Sequence, residues 1–189
     1  METNINERIA QRVRTLRSDR GMTLDGLAEL SGVSRSTISL IERGESSPTA
    51  AVLDKLAAGL GVTLSALFEA PDPNPDPVSR HGDQIIWRDP ASGYIRRNIS
   101  PSGFPSSIQL TEVVFPAGAH VAYENTGRSG HVHQQIWVLD GAIAATVGDQ
   151  VFQLGSGDCL ACTLDQPTAF HNPTQADARY AVVVVSAPK

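Results

Sequence analysis

The segment GHVHQQIWVLDG, Gly130 to Gly141, sets His131 and His133 one residue apart at the entrance to an apolar run. Imidazoles two apart on a strand share a face, and such a pair can open a divalent-metal site, which takes imidazole, thiolate or carboxylate donors. Cys159 and Cys162 spell C-x-x-C, the spacing of a redox or zinc pair. They stand in GDCLACTL, which reads as a strand. Residues three apart on a strand point to opposite faces roughly 10 Å apart, beyond disulfide reach. Small core residues are the better account of both. No Ser-His-Asp, Cys-His or paired-carboxylate arrangement is legible, so no catalytic residue and no cofactor is assigned.

Such residues act only where elements hold them, and the chain divides into two kinds of element. APDPNPDPVS carries prolines at Pro71, Pro73, Pro75 and Pro77. Each removes a backbone donor and fixes φ, so neither a helix nor a central strand continues through it. This linker, residues 70–80, is expected to be extended and semi-rigid, roughly 25–30 Å at about 3.1 Å per residue. It separates residues 1–69, with helical apolar spacing, from residues 81–189, with short β-rich runs between glycines and prolines. The 189 residues, 41% of them apolar, allow two small cores, and a net charge of -5 gives no global attraction to nucleic acid. No apolar run approaches the roughly 20 residues of a membrane span, and METNINERIAQRVRTLRSDRG lacks the apolar core of a signal peptide. A cytoplasmic protein with no membrane partner is expected.

In the first half, Ile5, Ile9, Val13 and Leu16 form one face of a helix closed by Gly21. Thr23 is the expected N-cap of a second, carrying Leu27, Ala28 and Leu30 and ended by Gly32. Ser34 caps a third, SRSTISLIER, with Ile38 and Ile41 inward and Gly44 after it. Ser47 and Pro48 are expected to open a fourth as N-cap and N1, burying Val52, Leu53, Leu56 and Leu60 before Gly61. Thr63 begins a fifth with Leu64, Leu67 and Phe68. Gly59 falls inside the fourth helix, where glycine costs about 1 kcal/mol, for no reason visible in the sequence.

TLDGLAELSGVSRSTISLIERGESSPTAAVLDKLAAGLGV resembles the DNA-binding domain of the phage-repressor-like XRE regulators, over roughly Ile5 to Phe68. The resemblance implies a five-helix module whose third helix enters the major groove by its N-terminal end. Arg35 then pairs with guanine or grips a phosphate, beside Ser36, with Ser39 and Leu40 one turn later; Leu40 can touch a thymine methyl. Thr37 and Arg43 are placed for phosphates, and Thr23 offers a hydroxyl to another. The family's I-E-x-G glutamate pairs with an arginine of the first helix; here these are Glu42 and Arg17. The implied partner is a palindromic double-stranded operator bound by a homodimer.

In the second half SIQLTEVVF, QQIWVLDG, AIAATVGD, QVFQLGSGD, CLACTL and YAVVVV are apolar runs between glycine turns, which suggests a small antiparallel barrel. The order VLDG, TVGDQVFQLGSGD, PTAFHNP resembles the cupin barrel, a double-stranded β-helix, over about Ile108 to Val185. The expected fold is thus α + β in two domains. Metal-binding cupins supply two histidines and a glutamate before a glycine and one later histidine. Anchored on Gly141, the glutamate position is Gln134, the histidine positions are Arg128 and Gly130 or one residue earlier, and the later histidine position is Thr168. An amide and a hydroxyl are poor donors for a transition metal. His131 and His133 stand displaced, facing away from Gln134, and His171 faces away from Thr168. No metal is assigned, although a bulge could still turn His131 and His133 inward with His120.

The preferred reading is an organic-ligand pocket, with Gln134, Ile136, Thr168 and Phe170 inward and His120, His131, His133 and Tyr180 at the mouth. Trp137 packs under another strand, meets a dimer partner or meets the ligand. The expected protein is a transcriptional regulator whose barrel senses an unidentified small molecule. The rivals are a metal-dependent enzyme or metal sensor and a barrel serving dimerisation alone.

Overall fold

The computed structural model describes residues 5–69, 74–125 and 132–186. Four α-helices come first: α1 Ile5–Asp19, α2 Leu24–Ser31, α3 Arg35–Glu42 and α4 Ala50–Gly59. Ile9, Val13, Leu27, Ile38, Ile41, Leu53, Leu56 and Leu60 meet in one core, each fully or almost fully buried. Thr23 and Ser34 cap α2 and α3 as their types suggest, accepting from the N–H groups of Gly26 and Thr37. Leu30 of α2 lies outside the core and is largely exposed.

Three sequence expectations change here. The fourth helix begins two residues late: Thr49, not Ser47, is the N-cap and accepts from Val52 N–H. The Ser47 hydroxyl is occupied by the Asn6 amide, 2.9 Å away. The fifth segment is a single 3-10 turn, Leu64–Leu67, capped by Thr63, and Pro71 disfavours helix in the residue before it. Gly59 acquires its reason. A Cβ there would lie 2.9 Å from Ser31 Cβ and 3.1 Å from Ser31 Cα, so glycine lets α4 and α2 touch backbone to backbone.

Ten strands follow among the described residues: β1 Ile86–Arg88, β2 Ile95–Asn98, β3 Ile108–Phe115, β4 His120–Tyr123, β5 Val132–Asp140, β6 Ala142–Val147, β7 Gln150–Gly155, β8 Cys159–Thr163, β9 Thr168–His171 and β10 Ala178–Ser186. They form an antiparallel sheet β1-β2-β3-β10-β5-β8 and a second, β4-β9-β6-β7. Aromatic rings fill the space between them, with Phe170 of β9 stacked on Tyr180 of β10 at 6.0 Å. β1, β2 and β4 were not legible as strands, being three or four residues long and mixed in polarity.

The halves meet directly, not only through the proline linker. Phe68, at the end of the 3-10 turn, packs on Trp87 of β1 at 5.5 Å. The ring contacts continue through Tyr94, Phe115 and Tyr180. Asp89, buried just after β1, accepts from Ala50 N–H at 2.8 Å and from the Ser92 N–H and hydroxyl. A carboxylate from the β half therefore completes the N-terminus of α4, where free N–H groups and the helix dipole both favour an anion. Gln109 of β3 bonds Thr63 and Glu69, and Lys55 of α4 pairs with Glu124 at 2.7 Å.

Candidate functional site

The exposed face of α3 displays Arg35, Ser36 and Leu40, with Arg43 at its C-cap. Arg35 lies 3.3 Å from Asp25, and Arg43 makes a two-point pair with Glu45 at 2.9 Å. Both pairs are solvent-exposed, so each contributes little and a phosphate or base can displace it. Ser34 binds the hydroxyls of Ser36 and Thr37 at 3.0 and 2.7 Å, and Ser39 receives an Arg43 N–H. Thr23 is exposed at the start of α2. Behind this face Arg17 Nε and Nη2 hold Glu42 at 2.6 and 2.8 Å, and Arg17 Nη1 donates to Met22 O. Glu42 is thus satisfied from within and presents no free charge to DNA. Its hydrogen bond to Arg17 raises the arginine's pKa, against the opposing effect of burial.

The second site is a cavity of about 60 Å³ where the sheets meet the helices. From the helical half come Asp54, Thr63, Leu64 and Ser65; from the β half come Tyr94, Arg96, Asn125, Gln134, Thr168 and Tyr180, among others. Strand alternation turns Gln134 inward between exposed His133 and Gln135. Asn125, at φ 52, sends Nδ2 to Thr168 Oγ1 at 2.9 Å and to Gln166 O. Tyr94 and Tyr123 share a hydroxyl bond of 3.1 Å. Burial raises the pKa of Tyr94 and Tyr180, so both phenols stay neutral. The Gln134 amide and Tyr180 hydroxyl have no hydrogen-bond partner among the described residues. They are polar groups waiting at a cavity wall.

The helix-turn-helix family model (HTH_3) matches residues 13–67. Over 173 residues, 89% of this chain and 89% of the relative, the sequence is 28% identical to the HTH-type transcriptional regulator SutR of Escherichia coli K12. PuuR of the same organism matches at 28% over 89% of this chain and 90% of its own length. The crystal structure of an HTH_3 family transcriptional regulator from Vibrio cholerae covers 98% of both chains at TM-score 0.78 and 26% identity.

Residues 13–67 are a helix-turn-helix domain of the XRE type, and nearly the whole chain is similar to HTH-type transcriptional regulators.

The fold gathers most, not all, of the residues singled out from the sequence. Gln134, Thr168, Phe170 and Tyr180 line the cavity. Ile136 is completely buried on the same strand face as Gln134 but is not among the lining residues. His133 is exposed on the outer sheet face, the side that strand alternation gives it once Gln134 points in, so it is no part of the pocket. His131 lies outside the described residues. His120 and His171 meet on the outside of β4 and β9, their rings 6.2 Å apart. Trp137 is half-exposed on the outer sheet face.

Cys159 is exposed rather than core, because it stands on the outer sheet face, paired across strands with exposed Trp137. Cys162 faces inward and burial raises its pKa. The donor set at the cupin metal positions, Gln134 and Thr168, does not fit a transition metal. Among the described residues no three His, Cys, Asp or Glu side chains converge. Sequence reasoning missed Tyr94, Arg96, Asn125 and the helical residues Asp54 and Ser65. The alternation Tyr94-x-Arg96 in GYIRRN was the available signal, had β2 been recognised as a strand.

Proposed function

We propose that this regulator binds a palindromic operator as a homodimer and that a small-molecule effector in the cavity between its helices and sheets controls the binding. The observation carrying this reading is that a cavity walled by both halves holds the Gln134 amide and the Tyr180 hydroxyl, neither with a hydrogen-bond partner among the described residues. An effector shifts an equilibrium only by its differential affinity for two arrangements. A ligand here touches α4 and the 3-10 turn together with both sheets, so any change in docking between the halves changes its contacts. The DNA-facing residues are Thr23, Arg35, Ser36, Thr37, Ser39, Leu40 and Arg43.

Specific operator affinity normally requires two half-sites. An apolar stripe on the outer sheet face, with Ile108 of β3 and Val185 of β10 paired across strands and Trp137 on the neighbouring β5, is the proposed contact between copies. Sedimentation showing only monomer at micromolar concentration would remove the dimer. We read the protein as a regulator and not an enzyme, because the metal positions of the cupin pattern carry an amide and a hydroxyl.

The test is operator affinity measured with and without pools of small metabolites. Gln134→Leu should abolish the response and leave effector-free affinity nearly unchanged. A lost hydrogen bond from a buried amide is about 1–3 kcal/mol, so the effector should bind roughly 5- to 150-fold more weakly. If no pool alters wild-type operator affinity, the sensing reading fails.

A further inference from the structure

We infer that the cavity is built for a small monocarboxylate, held by Arg96, whose binding competes with the bond between Arg96 and the helical half. The inference rests on the sensing reading above and names its ligand class.

Arg96 of β2 is 7% exposed and lines the cavity. Its Nη2 donates to Ser65 Oγ of the 3-10 turn and to Thr111 Oγ1 at 2.9 Å. Its Nε is buried with no partner, and Nη1 has none among the described residues. The guanidinium carbon lies 5.7 Å from the Phe68 ring centroid. No carboxylate stands within ion-pair distance of Arg96 among the described residues. A buried cation with only two hydroxyl acceptors is under-compensated, and burial normally demands a counter-charge. Arginine presents a planar fork matched to carboxylate, which binds it at two points. The Gln134 amide and Tyr180 hydroxyl remain to engage the rest of the molecule.

Size and charge narrow the class. A water needs at least about 10–15 Å³ of such space, so the 60 Å³ cavity admits a ligand of roughly four to six non-hydrogen atoms. Among the described lining residues Arg96 is the one cation, so the cavity balances a single negative charge. The buried phenols stay protonated and add no charge of their own. A monoanion fits; a dicarboxylate or a phosphate ester does not.

The same guanidinium is part of the joint between the halves. Rotating it toward a carboxylate weakens its bond to Ser65, next to Phe68, whose ring covers Trp87. Occupancy therefore acts on the docking of the helices without passing through the linker.

The experiment is isothermal titration of the full chain with acetate, propionate, lactate and pyruvate. The controls are acetamide, propionamide and lactamide, which keep the shape without the charge, and ethylamine. Carboxylates are expected to bind and to raise Tm, and the neutral and cationic analogues are not. Arg96→Gln should weaken carboxylate binding at least about tenfold. Ser65→Ala removes the competing acceptor and should strengthen it a few-fold, which keeps the inference testable if Arg96→Gln fails to fold. Amides binding as well as acids, no carboxylate binding, or Ser65→Ala weakening the acids would each overturn the inference. A neutral or cationic effector that alters operator affinity through Gln134 overturns the ligand class alone and leaves the sensing reading standing.

Discussion

Replacing Gly59 with alanine should destabilise the protein, although helix propensity alone favours the change. Alanine in a helix interior gains about 1 kcal/mol over glycine. Against that, the new methyl would sit 2.9 Å from Ser31 Cβ and 3.1 Å from Ser31 Cα and N. Carbon atoms prefer about 3.5–4.0 Å, so α2 and α4 must separate by more than half an ångström. Ser31 cannot yield by rotating, because two of those atoms are backbone. Its hydroxyl also bonds Leu27 O and receives Val33 N–H at the turn into α3. Overpacking against such a wall costs about 1–3 kcal/mol; taking the upper end and subtracting the propensity gain leaves about 2 kcal/mol net. For a chain of this size that lowers Tm by about 4–8 °C. Urea unfolding followed by circular dichroism measures it, and Ser31→Gly in the Gly59→Ala background should recover part of the loss in a double-mutant cycle. A Gly59→Ala protein more stable than wild type would refute the close-approach argument.

Arg35→Ala should lose about 1–3 kcal/mol on the specific operator and relax base preference at one position per half-site. Arg43→Ala should weaken all DNA sequences alike and lower the salt slope by about one; filter binding across a salt series separates the two, and an unchanged Arg35→Ala would displace α3 from the groove. Removing Arg17 or Glu42 alone should cost roughly 3–5 kcal/mol, since the survivor is a largely buried, uncompensated charge. Changing both to apolar residues should recover part of it, and additive effects would show no interaction. Asp89→Ala should cost about 1–3 kcal/mol, from the orphaned buried Ala50 N–H, whereas Asp89→Asn, which keeps one acceptor, should cost less; equal losses would count against capping as the reason.

The helical core and its caps were legible because they rest on local rules. Apolar residues at 3–4 spacing, hydroxyls at Thr23 and Ser34, and glycines at Gly21, Gly32, Gly44 and Gly61, all observed at positive φ, depend on neighbours in sequence. The N-cap of α4 was misplaced because Ser47 and Thr49 are both capping residues and nothing local chooses between them; in the fold the Ser47 hydroxyl accepts instead from Asn6, 41 residues away. Gly59 was opaque for the same reason, its explanation being Ser31 on another helix. Gln134 and Thr168 were placed through the cupin resemblance, Phe170 is on the same strand face as Thr168, and Tyr180 was expected only at the mouth; all four line the cavity. Arg96 and Asp54 could not be placed, because their role exists only when the helices sit on the sheets. The C-x-x-C pair was correctly read as pointing to opposite faces. Only Cys159 was misread as core, because nothing local says which face of β8 is covered.

The cap that Asp89 places on α4 bears on how such regulators can be recombined. A helix whose first turn is finished by the other half cannot be grafted whole onto a foreign sensor. A chimera joined at the prolines would leave Ala50 N–H without its carboxylate and Phe68 without Trp87. Its junction would need to carry the hairpin from Trp87 to Tyr94 along with the helices. The two halves are therefore expected to melt in one transition, so that changing the sensor without changing the DNA reader is constrained by a handful of junction residues rather than by linker length.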